Sequence, residues 1–333
     1  MALSFSGKNP RIPLTAEEKM MARVLYDAIR RATDKISVKE LARIIQNMDA
    51  ASLQRLLNSI TISGDVAQIQ QALTQSITAG GTTAIDQLRR IAPALAYPAF
   101  TPTPVKIGNP GAMANMDFTQ VPSWASTVKP KIQMNLSFDK TNPNSLAFAR
   151  ARAGQLITSI DTQTRIAVNR IITEAFNNQI DVATTAGRIK NSIGLHSNYA
   201  DAVVKFENRE LARLVKAGFK EGEAKIRARN SASAYADRLK EARATTIART
   251  EIQIAQNAGR YEGWRQAAEN GYVDPSSTKT WIIARDERTC PICLELDGET
   301  IPWNGVFSNG MDKPVAHPNC RCTMILNPPD RGV

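Results

Sequence analysis

The chain has 333 residues, a net charge of +11 and a hydrophobic content of 43%. It holds no apolar run of about 18 residues, which excludes a membrane span, and its length is typical of a globular protein of roughly two or three domains. The positive charge favours a polyanionic partner, with nucleic acid as the first candidate and an acidic protein surface as the alternative.

Residues 1–92 predict a small N-terminal helical domain. Thr15-x-x-Glu18 and Ser37-x-x-Glu40 are capping-box patterns, and each is followed by apolar residues at helical spacing. Packing in a core is the favoured interpretation of these apolar stripes, and docking to a partner is the alternative.

Two glycines, Gly80 and Gly81, predict a break between a helix over 65–76 and a short helix over 85–91. Residues 93–143 then predict an extended arm or linker, because helix cannot continue through closely spaced prolines. The prolines are Pro93, Pro98, Pro102, Pro104, Pro110, Pro122, Pro130 and Pro143. The aromatic residues favour an arm ordered against a neighbouring subunit; they are Phe100, Phe118 and Trp124.

Residues 144–271 predict a helical core region. Apolar residues recur there at three- and four-residue spacing, a shorter helix is expected between Asp181 and Gly194, and Asn270-Gly271 is expected to end the last helix. A solvated helix face is the favoured interpretation of the many basic residues in this region, and a surface that faces DNA is the alternative. The DNA-facing candidates are Lys225, Arg227, Arg229, Arg238, Lys240 and Arg243.

Residues 272–333 predict a small α+β lobe. The stretch 278–284 is short, β-branched and aromatic, which is typical of a strand, and 323–326 is expected to close a small sheet with it. Asp297-Gly298 predicts a hairpin turn between 294–296 and 299–301.

All four cysteines fall in the last 44 residues, together with one histidine, which predicts a tetrahedral zinc site. Cys290 and Cys293 are the safest pair of ligands, and four of the five candidates would bind the metal. Cys320 is ranked next, with His317 and Cys322 equal for the fourth place, since Cys320 and Cys322 lie on one face of an extended segment. A disulfide framework is the competing interpretation, but the N-terminus lacks a signal-peptide pattern, so a reducing cytosol is expected.

A structural zinc is favoured over a catalytic one. Zinc deaminases carry His-x-Glu before Pro-Cys-x-x-Cys, whereas here Asn319 follows His317 by two residues and the Cys290–Cys293 pair comes first. The other histidine, His196, completes no His-Glu-x-x-His motif. The zinc would therefore hold together a lobe with too little apolar content to fold alone.

Five groups of residues form a more specific pattern. They are Ala248-Arg249-Thr250-Glu251, Asn257-Ala258-x-x-Tyr261, Trp281, Asp286-x-Arg288-Thr289-Cys290-x-x-Cys293-x-x-Leu296-Asp297-Gly298 and His317-Pro318-Asn319-Cys320-Arg321-Cys322. This pattern closely resembles the tailed-phage head morphogenesis family, the Mu F-like minor head proteins, from about Phe138 to Leu326. Residues 1–137 lie outside the resemblance.

The resemblance implies a minor capsid protein of the virion, present in few copies around the portal and acting in head morphogenesis or genome delivery. It implies a location in the capsid interior or at the portal vertex, and in the host cytoplasm during assembly. The implied partners are the portal protein, the major capsid protein and packaged double-stranded DNA. No catalytic reaction is implied.

Carboxylates and guanidinium groups within the pattern could suggest an active site, but structural bridges are the favoured interpretation. Arg249 and Glu251 on the long helix, and Asp286 and Arg288 beside the first cysteine pair, would then seat the C-terminal lobe on that helix.

The sequence therefore predicts a mainly α, multi-domain chain with a small zinc-stabilised α+β lobe and no enzymatic activity. The alternative is a metal-dependent nuclease or hydrolase that acts through His317-Pro318-Asn319 during phage entry or DNA processing. A zinc-containing DNA-binding regulator is less favoured, because no finger-like helix spacing follows the cysteine pair.

Overall fold

The computed structural model describes residues 14–47, 49–59, 65–95, 136–286 and 289–329. Over these residues the protein is mainly helical, with a small antiparallel sheet near the C-terminus, which confirms the predicted fold class. Its helices are α1 (Ala16–Asp34), α2 (Val38–Gln46), α3 (Ala50–Ser59), α4 (Val66–Leu95), α5 (Pro143–Asn177), α6 (Val182–Ser192), α7 (Ser197–Lys216), α8 (Glu221–Glu269) and α9 (Pro291–Leu294). None of these helices is long and apolar enough to cross a membrane.

The chain forms two compact units, each built from separated segments. The described parts of the first unit are residues within 14–77, 140–256 and 315–321, and those of the second are residues within 78–95, 136–139, 257–314 and 322–329. The division into segments 1–92, 93–143, 144–271 and 272–333 stays a prediction. Most of the predicted arm, residues 96–135, lies outside the described part of the chain.

Helix α1 begins at the predicted capping box. Thr15 Oγ1 accepts the backbone N–H of Glu18 at 3.2 Å, and the Glu18 carboxylate accepts the N–H of Thr15 at 2.9 Å. These two bonds satisfy backbone donors that a helix start otherwise leaves without partners. The buried face of α1 carries Met21, Leu25 and Ile29, so its apolar stripe packs in the core of the first unit.

Helices α5, α6, α7 and α8 supply much of the remaining core of the first unit. Asp181 caps α6 through a 2.8 Å bond from the N–H of Thr184, which confirms the predicted helix start. Arg188 of α6 and Glu207 of α7 form a buried ion pair of 3.3 Å, and Arg188 also donates to Asn208 at 2.5 Å. A buried charge is tolerated only when it is paired, so this cluster joins the two helices in a defined register.

The predicted helix break at Gly80 and Gly81 is wrong, because α4 continues through both glycines. A Cβ on Gly81 would lie 2.3 Å from ring carbons of Phe138, and a Cβ on Gly263 of α8 would lie 3.0 Å from the carbonyl oxygen of Gly81. The small residues therefore permit close packing within the second unit, and this packing outweighs their cost of about 1 kcal/mol each in a helix.

The sheet of the second unit has the order β2-β1-β3, with β1 (Thr278–Ile282), β2 (Thr300–Pro302) and β3 (Thr323–Asn327) all antiparallel. Both strands predicted at 278–284 and 323–326 are confirmed, and the first ends two residues early. Trp264 of α8 packs with Met324 and Leu326 of β3 in one buried cluster.

The predicted hairpin around Asp297-Gly298 is wrong. Residues 291–294 form the short helix α9. Strand β2 pairs with the central strand β1 and not with residues 294–296. Gly298 has φ +81° and donates its N–H to the Trp281 carbonyl at 3.0 Å, so the turn connects α9 to the edge of β1. A turn does form at Asp297-Gly298, as predicted. The local sequence does not show, however, which strand pairs with the segment that follows the turn.

Candidate functional site

The first cysteine pair is positioned by α9 in the second unit. Cys290 is the N-cap residue, and its sulfur accepts the backbone N–H of Cys293 at 3.4 Å. Pro291 occupies the first turn of the helix, where its missing N–H costs nothing. One helical turn thus brings the sulfur atoms of Cys290 and Cys293 within 4.8 Å of each other.

Cys322 reaches the same cluster from the start of β3. Its sulfur lies within 4.8 Å of that of Cys293, and both side chains are buried. Asn257 of α8 holds the backbone at this point, because its amide donates to the Cys322 carbonyl at 3.0 Å and accepts from the Thr323 hydroxyl at 3.1 Å. Asn257 stood out in the sequence only as part of the family-like pattern, and the structure gives it this role.

His317 and Cys320 lie on the segment 315–321, and Cys320 is buried. The His317 Nδ1 atom is 2.8 Å from the Pro318 carbonyl oxygen. A carbonyl can only accept, so Nδ1 carries the proton and Nε2 keeps a lone pair that could bind a metal. Metal-binding histidines commonly donate their other ring N–H to such a carbonyl.

A left-handed residue shapes this segment. Asn319 has φ +61°, and its N–H donates to the Thr250 hydroxyl on α8 at 2.9 Å. Asparagine tolerates this conformation better than most residues. Thr250, which stands between Arg249 and Glu251 in the family-like pattern, therefore holds the turn between His317 and Cys320.

The Cys and His side chains fit a metal site by their chemistry. Cys290, Cys293 and Cys322, together with His317 and Cys320, make up the groups that could hold a metal ion. All four cysteines fall in the described residues, and none of them forms a disulfide. Thiolate sulfur and neutral imidazole are the donors that a tetrahedral zinc prefers.

The predicted bridging residues have partners in the first unit. The Glu251 carboxylate accepts two bonds from the Arg152 guanidinium of α5, at 2.6 and 2.9 Å, while Arg249 lies 3.9 Å from Glu18 of α1. The observed partner of Glu251 thus lies on α5, and the observed acidic partner of Arg249 lies on α1, both in the same unit. The bridge predicted for Asp286 stays a prediction, and Arg288 lies outside the described residues.

The six predicted DNA-facing residues do not share one surface environment. Lys240 and Arg243 are buried, at 2% and 6% exposure, because the Lys240 ammonium bonds to Thr33 and the Arg243 guanidinium bonds to Gly194 and Gln163. This corrects the expectation that these two side chains face DNA. Burial also lowers the pKa of Lys240.

Of the remaining four residues, three are exposed or half-exposed and have local partners. Lys225 pairs with Glu221 and Arg227 with Glu223, each at 2.8 Å one helical turn apart, and the Arg238 guanidinium lies 5.7 Å from the Tyr235 ring. Arg229 donates to Thr184 at 3.1 Å, and its Nε atom is buried. Lys225, Arg227 and Arg238 are therefore the members of the set that could reach a large polyanion.

Lys279 on β1 is a further buried cationic residue, and it lies in the second unit. Its ammonium donates to the carbonyls of Gly305 and Asp312, at 2.7 Å each, and lies 5.1 Å from the Tyr261 ring centre and 5.3 Å from that of Phe307. Burial lowers the pKa of Lys279 to about 8; the Asp312 carboxylate partly offsets this effect, and the Lys313 ammonium adds to it. The sequence carries no signal for the burial of this residue, because a lysine in a strand usually points to solvent.

The model of the family described as "Phage Mu protein F like protein" matches residues 208–325, from the last part of α7 to β3. No curated protein and no solved structure matches the chain. The match covers every family-like motif identified in the sequence, and it begins later than the expected start near Phe138.

The family match suggests a phage head morphogenesis protein and a location in the virion. Over residues 208–325, the chain is similar to the Phage Mu protein F like proteins, and this confirms the predicted resemblance.

Proposed function

We propose that the protein is a minor structural component of a tailed-phage head that acts in head morphogenesis or genome delivery. The observation that carries this proposal is the family match over residues 208–325, which spans α8 and the entire cysteine-containing lobe up to β3. The protein would be associated with the portal and would contact portal or major capsid subunits through its helical regions.

The proposed role of the metal is structural. Cys293 and Cys322 are buried, and their backbones are tied to α9 and, through Asn257, to α8. A zinc ion bound there would join α9 to the start of β3. One residue separates Cys320 from Cys322, so covalent geometry keeps their Cα atoms within about 7 Å of each other. Either cysteine could therefore act as the metal ligand.

We propose that the protein is not an enzyme. A catalytic zinc needs an open position for water and a general base within reach. Within the described residues, the ligand atoms grouped around Cys293 come from cysteine and histidine, and no carboxylate is among them. This composition favours a closed site.

Zinc content tests the structural site. The purified chain is expected to carry about one zinc per molecule, and Cys293→Ser should lose it. Separate His317→Ala, Cys320→Ser and Cys322→Ser variants would identify which of these residues does not bind the metal, because only the variant of that residue should keep its zinc. His196→Ala is the matched histidine control. A wild-type protein without zinc when it is produced in zinc-supplemented cells would contradict the site.

The functional assignment is tested in phage particles. Mass spectrometry of purified virions should detect the chain in a small copy number, and deletion of its gene should yield defective heads or particles that fail to deliver DNA. The enzymatic alternative makes a different prediction: His317→Ala would leave zinc content and assembly intact yet abolish a measurable cleavage of nucleic acid or cell wall. That outcome would reject the structural role.

A further inference from the structure

A cleft with a volume of about 540 Å³ lies within the first unit. Helices α5, α7 and α8 and the segment 315–318 line it, and both histidines of the chain, His196 and His317, are among the lining residues. This volume lies within the usual range for a bound small molecule, roughly 300–1,000 Å³.

The cleft contains a buried cation that has no acidic partner. Arg243 is 6% exposed, and its guanidinium donates to the Gly194 carbonyl and to Gln163 Oε1, each at 2.5 Å. Both acceptors are neutral, and no carboxylate in the described part of the chain forms an ion pair with Arg243. Burial lowers the pKa of Arg243 to about 10, so the group still carries its charge at neutral pH. A buried charge without a counter-ion is unfavourable, which favours an anion as the partner.

The neighbouring groups increase the positive potential. His196 is the N-cap residue of α7 and makes no side-chain capping bond, so the positive end of a 20-residue helix begins beside the cleft. Glu251 is the one carboxylate among the described lining residues, and Arg152 neutralises it through two bonds. A guanidinium has five N–H donors, and the two bonds to Gly194 and Gln163 leave others for a ligand.

The rest of the cleft is suited to an organic group. Apolar side chains of α5 and α8 line it, among them Leu156, Ile160 and Ile247. The Tyr199 ring lies 4.1 Å from that of His196 and offers an aromatic face. An inorganic ion alone would leave this apolar wall without contacts.

We propose that this cleft binds a phosphate ester of a nucleoside. The phosphate group would lie against the Arg243 guanidinium and the start of α7, and the nucleoside would pack on the apolar wall and the Tyr199 ring. Guanidinium groups and helix N-termini both recognise phosphate, and flat rings stack on aromatic side chains. The nucleotide could be free or could be the phosphorylated end of a DNA strand. This site does not depend on the proposed head function.

Calorimetry on the full chain tests the proposal. Adenosine monophosphate should bind, inorganic phosphate should compete with it, and adenosine should bind at least about tenfold more weakly, a difference of about 1.4 kcal/mol. Thr246→Glu adds a carboxylate to the lining of the cleft and should reduce nucleotide affinity at least about tenfold. Thr245→Glu is the matched control, because Thr245 is not among the lining residues and the change in net charge is the same.

Two further measurements complete the test. A short DNA strand with a 5′-phosphate, compared with the same strand without it, distinguishes a strand end from a free nucleotide as the source of the phosphate. Arg243→Lys keeps the positive charge but loses the planar fork, and it should weaken binding while circular dichroism shows the helices intact. Equal affinity of the Thr246→Glu and Thr245→Glu variants, or no nucleotide binding at millimolar concentration, would overturn the proposal.

Discussion

Asn257 shows how one buried side chain can position a metal ligand. Its amide is fully buried on α8 and bonds to the Cys322 carbonyl and the Thr323 hydroxyl, so it holds the start of β3 through one backbone group and one side chain. Such buried bonds contribute little net energy when they are made, but their loss leaves the remaining polar groups without partners.

Asn257→Ala should reduce the free energy of unfolding by about 1–3 kcal/mol and should speed the release of zinc to a chelator. Asn327→Ala is the control: it removes bonds to Thr278 and Thr280 at the far end of β3, so it should reduce stability without a comparable effect on zinc release. Urea unfolding and zinc release followed with a colorimetric chelator measure the two effects. Equal release rates in the two variants would contradict the role of Asn257.

Lys279 makes the stability of the second unit depend on pH. The folded protein loses the Lys279 proton near pH 8, whereas the unfolded chain holds it up to the ordinary lysine pKa of about 10.4. Between these values the unfolded chain binds more protons, so the contribution of Lys279 to stability rises with pH. Below pH 8 both states are protonated, and the contribution is constant.

The stability difference between wild type and Lys279→Met should therefore change with pH in wild type's favour from about pH 8 to 10.4, by up to about 1.4 kcal/mol per pH unit. Free energies of unfolding of both proteins across this range provide the measurement. Titratable groups that do not contact Lys279 are common to both proteins and cancel in the difference. A difference that is independent of pH would show that Lys279 keeps an ordinary pKa.

At the scale of elements, a glycine determines how α6 connects to α7. Gly194 has φ +75°, and a Cβ there would lie 2.2 Å from the Ile29 side chain of α1. Its N–H donates to Thr164 and its carbonyl accepts from Arg243, so this one residue contacts helices α1, α5 and α8. No other residue type combines the left-handed backbone with the missing side chain.

Gly194→Ala should cost about 3 kcal/mol, from the left-handed backbone and from the clash with Ile29. Gly218→Ala is the matched control, because Gly218 has φ +89° but open space where the added methyl group would lie, and it should cost about 1 kcal/mol. Chemical unfolding of the two variants measures the difference. Equal losses would mean that the first unit relaxes around the added methyl group.

At the scale of the whole molecule, a net charge of +11 does not by itself provide a surface for DNA. Arg152 and Arg188 are neutralised in ion pairs, Lys240 and Arg243 are buried, and Lys225 is paired with a glutamate. The charge available to a polyanion is therefore smaller than the composition suggests, and contact with packaged DNA stays a prediction.

DNA retention by the purified chain should fall with salt, with a slope of about −0.9 for each phosphate contact in a plot of log affinity against log salt concentration. If the start of α8 faces DNA, a Lys225→Gln/Arg227→Gln double variant should make this slope less negative, by the contribution of up to about two phosphate contacts. The Glu221→Gln/Glu223→Gln variant releases the same two cations and should bind DNA more tightly. Binding that is unaffected between low and moderate salt would count against DNA contact.

The sequence by itself determined the helix starts, the strands and the candidate metal ligands. Capping at Thr15 and Asp181 is a local interaction between residues three apart, and the strand at 278–282 follows from β-branched residues in a short run. Closely spaced thiols likewise have few uses in a reducing environment. These features are readable because their physical cause lies within a few residues of chain.

Only the tertiary structure decided features that depend on contacts between distant residues. The continuation of α4 through Gly81 depends on the Phe138 ring, and the pairing of β2 with β1 depends on the turn after α9. The burial of Lys240, Arg243 and Lys279 likewise could not be read from a basic composition, because a charged side chain is buried only where distant backbone and side-chain groups bond to it.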